Sequence, residues 1–377
     1  MVVIAAGAMV LDGQVARPGW LETDGGRILA CGAGAPPRPA DADFRDGTVV
    51  PGFVDMHVHG GGGASYTDGP TDSGGIAGAA DFHLRHGTTT TLASLVTASP
   101  AELLARVRAL AEATDHGTVV GIHLEGPWLS RARCGAHDPA QLRDPDPAEI
   151  DAVLDAGAGA IRMVTLAPEL PGAEAAIQRL VDAGVVVAVG HTDAGYEQTE
   201  RAIALGATVG THLFNAMPPL HHRDPGPALA LLRHPGVTVE LIADGVHVHP
   251  AVVQAVIEAA GPHRVAVITD ATAAAGRGDG TFRLGAVTVD VVSGVARVRG
   301  TSTIAGSTAT MDQIFRTVHA GAGLAVAAQT TSATPARALG LERVGSLRAG
   351  YQANLVVLDG DLRVAAVMTA GRWRLGG

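Results

Sequence analysis

Eight short apolar runs, most of them followed by a helical pattern, set the strongest limit on how this 377-residue chain can fold. They cover 48–59, 87–96, 118–125, 160–166, 185–191, 207–214, 237–243 and 264–270. Between them, apolar periodicity predicts helices over 100–115, 172–183, 196–205, 250–260 and 307–320. Strands alternating with helices pair in parallel, and eight such units predict an α/β fold closed into a (β/α)8 TIM barrel. Runs such as VVVAV and RVAVI have almost no polar face, as strands covered on both sides require. The chain ends differ. Residues 1–47 and 343–377 hold short strand-like pieces broken by Asp-Gly and Gly-Gly turns, which predicts a small β-sandwich assembled from both ends. The barrel is then expected over 48–342. Within it, 281–300 alternates as VTVDVVSGVARV and predicts a hairpin insertion after the eighth strand.

Composition narrows the chemistry. All 27 basic side chains are arginines, against 37 acidic ones, for a net charge of −10. A chain without lysine cannot be a P-loop NTPase, a Schiff-base aldolase or a pyridoxal-phosphate enzyme, each of which needs a lysine amine. Its acidic balance and scattered arginines argue against a nucleic-acid partner. Cys31 and Cys134 make no disulfide framework, no basic leader opens the sequence, and no apolar run approaches the roughly 18 residues of a membrane span. The expectation is a cytoplasmic protein without a membrane partner.

Sixteen histidines against three tyrosines and three tryptophans point to metal chemistry. His57 and His59 end the first strand as HVH, and a spacing of two puts both imidazoles on one face. Glu125 ends the third strand, His191 the fifth, His212 the sixth and Asp270 the eighth. Any one of these is unremarkable as a polar strand end. Together they place four imidazoles and two carboxylates around one barrel mouth, where barrel active sites lie. Burying so many ionisable groups without a cation costs several kcal/mol each. A divalent metal is implied, with zinc the leading expectation and Fe2+, Co2+ or Mn2+ equally allowed by ligand type. His83, His86, His116, His234, His263 and His319 fall on predicted helices or their ends and are read as solvated. The Gly60–Gly61–Gly62–Gly63 run is read as a mobile loop beside the site.

Six segments, PGFVDMHVHG, HLEGPW, GHTDAG, THLFNAMPPLHHRDPG, ADGVHVHP and TDAT, resemble the amidohydrolase superfamily and, within it, the N-acetylglucosamine-6-phosphate deacetylase family. The resemblance covers nearly the whole chain. It implies that Glu125, His191 and His212 hold the catalytic metal and that Asp270 is general base and acid. The HxH motif varies among such proteins, and its retention here allows a second metal at His57 and His59, bridged by Glu125. A carbamylated-lysine bridge is excluded. For substrate, the resemblance assigns Asn215, Ala216 and Arg223 to phosphate, and makes His247 a substrate-binding histidine. It sets Ala136 and His137 near the sugar and acetyl carbonyl, and Ile304, Ala305 and Gly306 along the sugar pocket. It implies a small sugar-phosphate substrate and a homodimer. The competing readings are a related deacylase, including one for N-acetylgalactosamine 6-phosphate, a sugar-phosphate binder without turnover, and a purely structural barrel.

Overall fold

Small and β-branched residues dominate the apolar runs, and in the computed structural model, which describes residues 1–67 and 73–376, they become strands buried on both faces. The barrel strands are Phe53–Asp55, Thr88–Thr91 continued by Ala93–Val96, Ile122–Glu125, Ile161–Leu166, Val186–Val189, Ala207–Gly210, Thr238–Ile242 and Val265–Ile268. Every neighbouring pair along this order is parallel, from Asp55 beside Thr91 to Ile242 beside Ile268. The ring closes where the Asp270 N–H donates to the His57 carbonyl at 2.9 Å and the Thr269 hydroxyl donates to Asp55 at 2.5 Å. Burial pushes the Asp55 carboxyl up to about 7, against the pull of the Thr269 and His57 donors.

Helices cover the outside. Pro100–Asp115 starts with a capping box between Ser99 and Glu102, and Pro147–Gly157 starts on Asp146, whose side chain accepts from the Ala148 and Glu149 N–H groups. Ala173–Asp182, Tyr196–Ala204 and Pro250–Ala260 follow the expected patterns, while Ser73–Arg85 and Gly226–Arg233 join them unannounced. The helix expected over 307–320 is instead Met311–Ala322. Ser307 is taken by the barrel, donating its hydroxyl to the Thr269 carbonyl, and Thr310 with Gln313 caps the helix three residues later. No helix among the described residues is long and apolar enough to cross a membrane.

The chain ends build one eight-stranded sheet. Ala42–Pro51 lies near its middle, parallel to Val2–Leu11 on one side and antiparallel to Leu355–Leu358 on the other. Ile4, Leu21 and Val49 from the front of the chain share a core with Leu355, Val357 and Met368 from its end. The run expected over 48–59 as one strand therefore divides. Its first part completes this sheet, and the barrel strand begins at Phe53, after Gly52. A Cβ on Gly52 would stand 2.2 Å from the Thr89 hydroxyl, so the crossing needs glycine. The insertion after the eighth strand is a three-stranded antiparallel sheet, Gly280–Leu284, Val287–Val292 and Val295–Val298, rather than a single hairpin. Ser293 and Gly294, both at positive φ, make its second turn.

Candidate active site

Side chains two residues apart on a strand share a face, so Glu125 sits above His123 one layer deeper, whereas His191 and His212 directly follow the inward Gly190 and Thr211. The upper layer holds the expected ligands, all buried. Glu125 Oε1 lies 3.1 Å from His191 Nε2, 3.0 Å from His212 Nε2 and 3.3 Å from His57 Nε2. Glu125 Oε2 lies 3.2 Å from His59 Nε2, and Asp270 Oδ1 lies 3.2 Å from that nitrogen and 3.6 Å from His57 Nε2. Two cation-sized groupings result, Glu125–His191–His212 and His57–His59–Asp270.

The imidazoles are fixed from behind. His57 Nδ1 donates to Glu240 at 3.1 Å, His59 Nδ1 to the Ser94 carbonyl at 3.2 Å, and His191 Nδ1 to the Arg133 carbonyl at 2.8 Å. Each of these rings therefore carries its proton on the outer nitrogen and turns a lone pair toward its neighbours. His191 and His212 bring their Nε2 atoms to 3.1 Å, and His57 and His59 theirs to 3.3 Å. Lone pairs and carboxylates converging at these distances repel one another unless a cation stands among them. The residues present fit a divalent metal.

Electrostatics agree. Burial alone would raise the Glu125 carboxyl, but His57, His191 and His137 around it hold it well below the usual range. Burial likewise works against charge on His59, yet Asp270 and Glu125 lift it to about 9, so without a metal a proton on Nε2 takes the cation's place, and the inward lone pair is the state a metal would meet by displacing that proton. Asp270 is lowered despite burial, chiefly by His57 and His59, and is a carboxylate at neutral pH.

His137 has the opposite tautomer. Its Nδ1 accepts from the Thr97 N–H at 3.3 Å and lies 2.9 Å from the Thr97 hydroxyl, which leaves Nε2–H as a donor beside Glu125 Oε2, 3.2 Å away. Burial brings it down to about 4, so the ring is neutral. The loop that carries it is anchored by Arg131 on the Pro139 and Leu142 carbonyls and by Arg133 on Asp193.

His59, Glu125, His137, His191, His212 and Asp270 open into a cavity of about 420 Å3. Ala136, Asn215, Ala216, His247, Ile304 and Gly306 line it. His247 is held by Asp244, its Nδ1 2.7 Å from Oδ2. Ala305 is buried behind the wall beside Val96 and Leu284. Arg223 is exposed on a turn bridged between His221 and Asp224 and lies outside this cavity, its guanidinium 2.7 Å from His222. A wider groove of about 1160 Å3, between the chain-end sheet and Thr334–Ala338, holds none of the ligands.

Two readings of the sequence are corrected. His83 is not solvated: it is fully buried and donates Nε2–H to the Gly60 carbonyl at 2.8 Å. His86 and His319 are half-buried, His86 against Asp312. The glycine run is tied down rather than free, with Gly60 and Gly61 paired to Ser65 and Ala64, and Gly62 and Gly63 bonded to the Ala275 and Ala273 carbonyls.

Sequence reasoning missed the deeper layer. The Ser94 hydroxyl accepts from the Val58 N–H and lies 2.9 Å from His123 Nδ1, and His123 Nε2 lies 2.9 Å from the Thr165 hydroxyl, which meets that of Thr211 at 2.9 Å. Glu240 completes this support beneath His57. The available signal was a histidine or a carboxylate in the middle of an apolar strand.

Comparison with known proteins places this geometry. The amidohydrolase family model matches residues 48–374. N-acetylglucosamine-6-phosphate deacetylase of Danio rerio is 38% identical over 349 residues, covering 88% of this chain and 86% of its own. N-acetylgalactosamine-6-phosphate deacetylase of Escherichia coli O157:H7 is 36% identical over 363 residues, covering 94% and 95%. The solved N-acetyl-D-glucosamine-6-phosphate deacetylase of Mycobacterium smegmatis, a mutant in complex with N-acetyl-D-glucosamine-6-phosphate, superposes with a TM-score of 0.97 at 54% identity over 99% of both chains. The chain belongs to the amidohydrolase family and, within it, to the family of N-acetylglucosamine-6-phosphate deacetylases.

Proposed function

We propose that this chain hydrolyses the acetamide of N-acetyl-D-glucosamine 6-phosphate, releasing D-glucosamine 6-phosphate and acetate, in amino-sugar catabolism or cell-wall recycling. The observation that carries the reading is an ionised Asp270 facing the same cavity as a neutral histidine donor, His137, above two cation-sized ligand groups. Glu125, His191 and His212 would hold a divalent cation, zinc by expectation, and His57, His59 and Asp270 a second. Such a cation lowers the pKa of water toward about 7 and polarises an amide carbonyl. Asp270 takes a proton from the attacking water and returns it to the leaving nitrogen, because an amide anion is a very poor leaving group. His137 gives its Nε2–H to the developing oxyanion.

His247, kept in place by Asp244, meets the sugar, as do Ala136, Ile304, Ala305 and Gly306. Asn215, Ala216 and Arg223 serve the phosphate, for which a guanidinium fork suits a dianion. In this reading a homodimer sets the phosphate end of the cavity at its interface, where an arginine exposed on the 221–224 turn can reach the anion. The protein works in the cytoplasm. Its barrel and its chain-end sheet form two units, the sheet with a core of its own on one face and with Val10, Val50, Val356 and Leu358 packed into the barrel's core on the other.

A second reading, deacetylation of N-acetylgalactosamine 6-phosphate, is favoured by the 36% identity to the Escherichia coli O157:H7 enzyme. Acetate release measured side by side from both phosphorylated sugars and from unphosphorylated N-acetylglucosamine separates the two. Arg223→Ala is expected to raise KM for the preferred phosphate ester at least about tenfold, the worth of a charge-assisted bond of roughly 1.5 kcal/mol. It should leave the unphosphorylated sugar unchanged. Equal damage to both substrates removes Arg223 from the phosphate site.

A further inference from the structure

Glu240 sits in the middle of the seventh barrel strand with no exposed surface. A carboxylate so placed is costly unless something nearby needs its charge. Its Oε2 takes two hydrogen bonds, from His57 Nδ1–H at 3.1 Å and from the His212 main-chain N–H at 3.2 Å. Its Oε1 has no partner among the described residues. Both of those bonds come from expected ligand histidines, so the carboxylate of this strand is aimed at the centre.

The three imidazoles fixed through Nδ1 differ in what fixes them. His59 and His191 donate to neutral carbonyls, whereas His57 donates to an anion. Donation to a carboxylate makes the opposite nitrogen a stronger base and a stronger ligand. His57 Nε2 faces His59 at 3.3 Å and Asp270 at 3.6 Å, the members of the second ligand group.

Net charge points the same way. Glu125, Asp270 and Glu240 give the centre three carboxylates. One divalent ion leaves it negative, facing a phosphorylated substrate that is itself an anion. Two leave it positive.

We propose that Glu240 is a positioning residue that strengthens the second cation site, His57–His59–Asp270, by holding His57 in one tautomer and raising its strength as a ligand. The proposal rests on the reading of the centre as a two-cation site and goes beyond it in assigning the charge behind His57.

The test strips the full-length protein with a chelator and titrates Co2+ back in competition with a chromophoric chelator, following cobalt absorbance. The parent should take up two tightly bound equivalents. Glu240→Gln keeps the shape and an acceptor oxygen but loses the charge. It should retain the first equivalent with little change and bind the second about 10–100-fold more weakly. Glu240→Asp, which keeps the charge but withdraws it from His57, should lose the second equivalent similarly and serves if the amide variant does not fold. In a His57→Asn background, Glu240→Gln should change nothing further, since the effect runs through that ring. Unaltered affinity for both ions in the Glu240 variants, or an equal loss of both, overturns the proposal. A parent that holds only one ion tightly overturns it too while leaving the proposed reaction standing; a parent that holds none overturns both.

Discussion

At the scale of the residue, the centre is organised by where each imidazole keeps its proton. His57, His59 and His191 hold theirs on Nδ1 and turn lone pairs inward, whereas His137, capped by Thr97, holds its own on Nε2 and can give it. Asp270 is the group left to accept a proton. Asp270→Asn is therefore expected to lower kcat by about 10^2–10^4-fold, the range of a lost general base, as read by acetate release. The ion held by Glu125, His191 and His212 should remain, as read by elemental analysis. Near-parental turnover would end the assignment. The six ligands were legible because each interrupts an apolar run at its mouth end. Glu240 and His123 were not, because TVELI and IHLE read as strand interiors whose side-chain direction only the barrel register decides. His83 was misread for a related reason: one polar residue on a helix does not say which way the helix is turned.

At the scale of the element, three strand ends bend to deliver their ligands. His191, His212 and Asp270 all adopt positive φ, a conformation that costs a non-glycine residue on the order of 1–3 kcal/mol. Convergence of the strand ends on one point is what this strain purchases. Beside His191, Gly190 occupies the fifth strand's place in the polar layer, and a Cβ there would come within 2.5 Å of Thr211 and 3.1 Å of Thr165. Gly190→Ala should destabilise by about 1–3 kcal/mol through overpacking, read as a lower urea midpoint at unchanged slope. An unchanged midpoint would mean that the layer has slack. The alternation of strands and helices was legible in hydrophobic periodicity. Element boundaries were less so: Gly52 and Ser307 are decided by contacts with Thr89 and Thr269, far away in sequence.

At the scale of the whole molecule, burial of His83 links the first helix to the barrel mouth and makes stability depend on pH. A free histidine titrates near 6.5, and burial brings His83 down to about 4. The unfolded chain therefore takes up this proton first. Its contribution is complete above pH 6.5 and is lost as pH falls toward 4, by about 3 kcal/mol over the window. Urea midpoints measured between pH 7 and 4.5 should fall more steeply for the parent than for His83→Gln, and parallel curves would remove His83 as the cause. The larger architecture has a consequence for synthesis. Leu355–Leu358 is the strand that covers the open side of Ala42–Pro51. While a ribosome makes the barrel, that edge has no partner and presents a row of free backbone groups to other nascent chains. The unit begun first is completed last, so its exposure to mispairing lasts as long as translation of everything between.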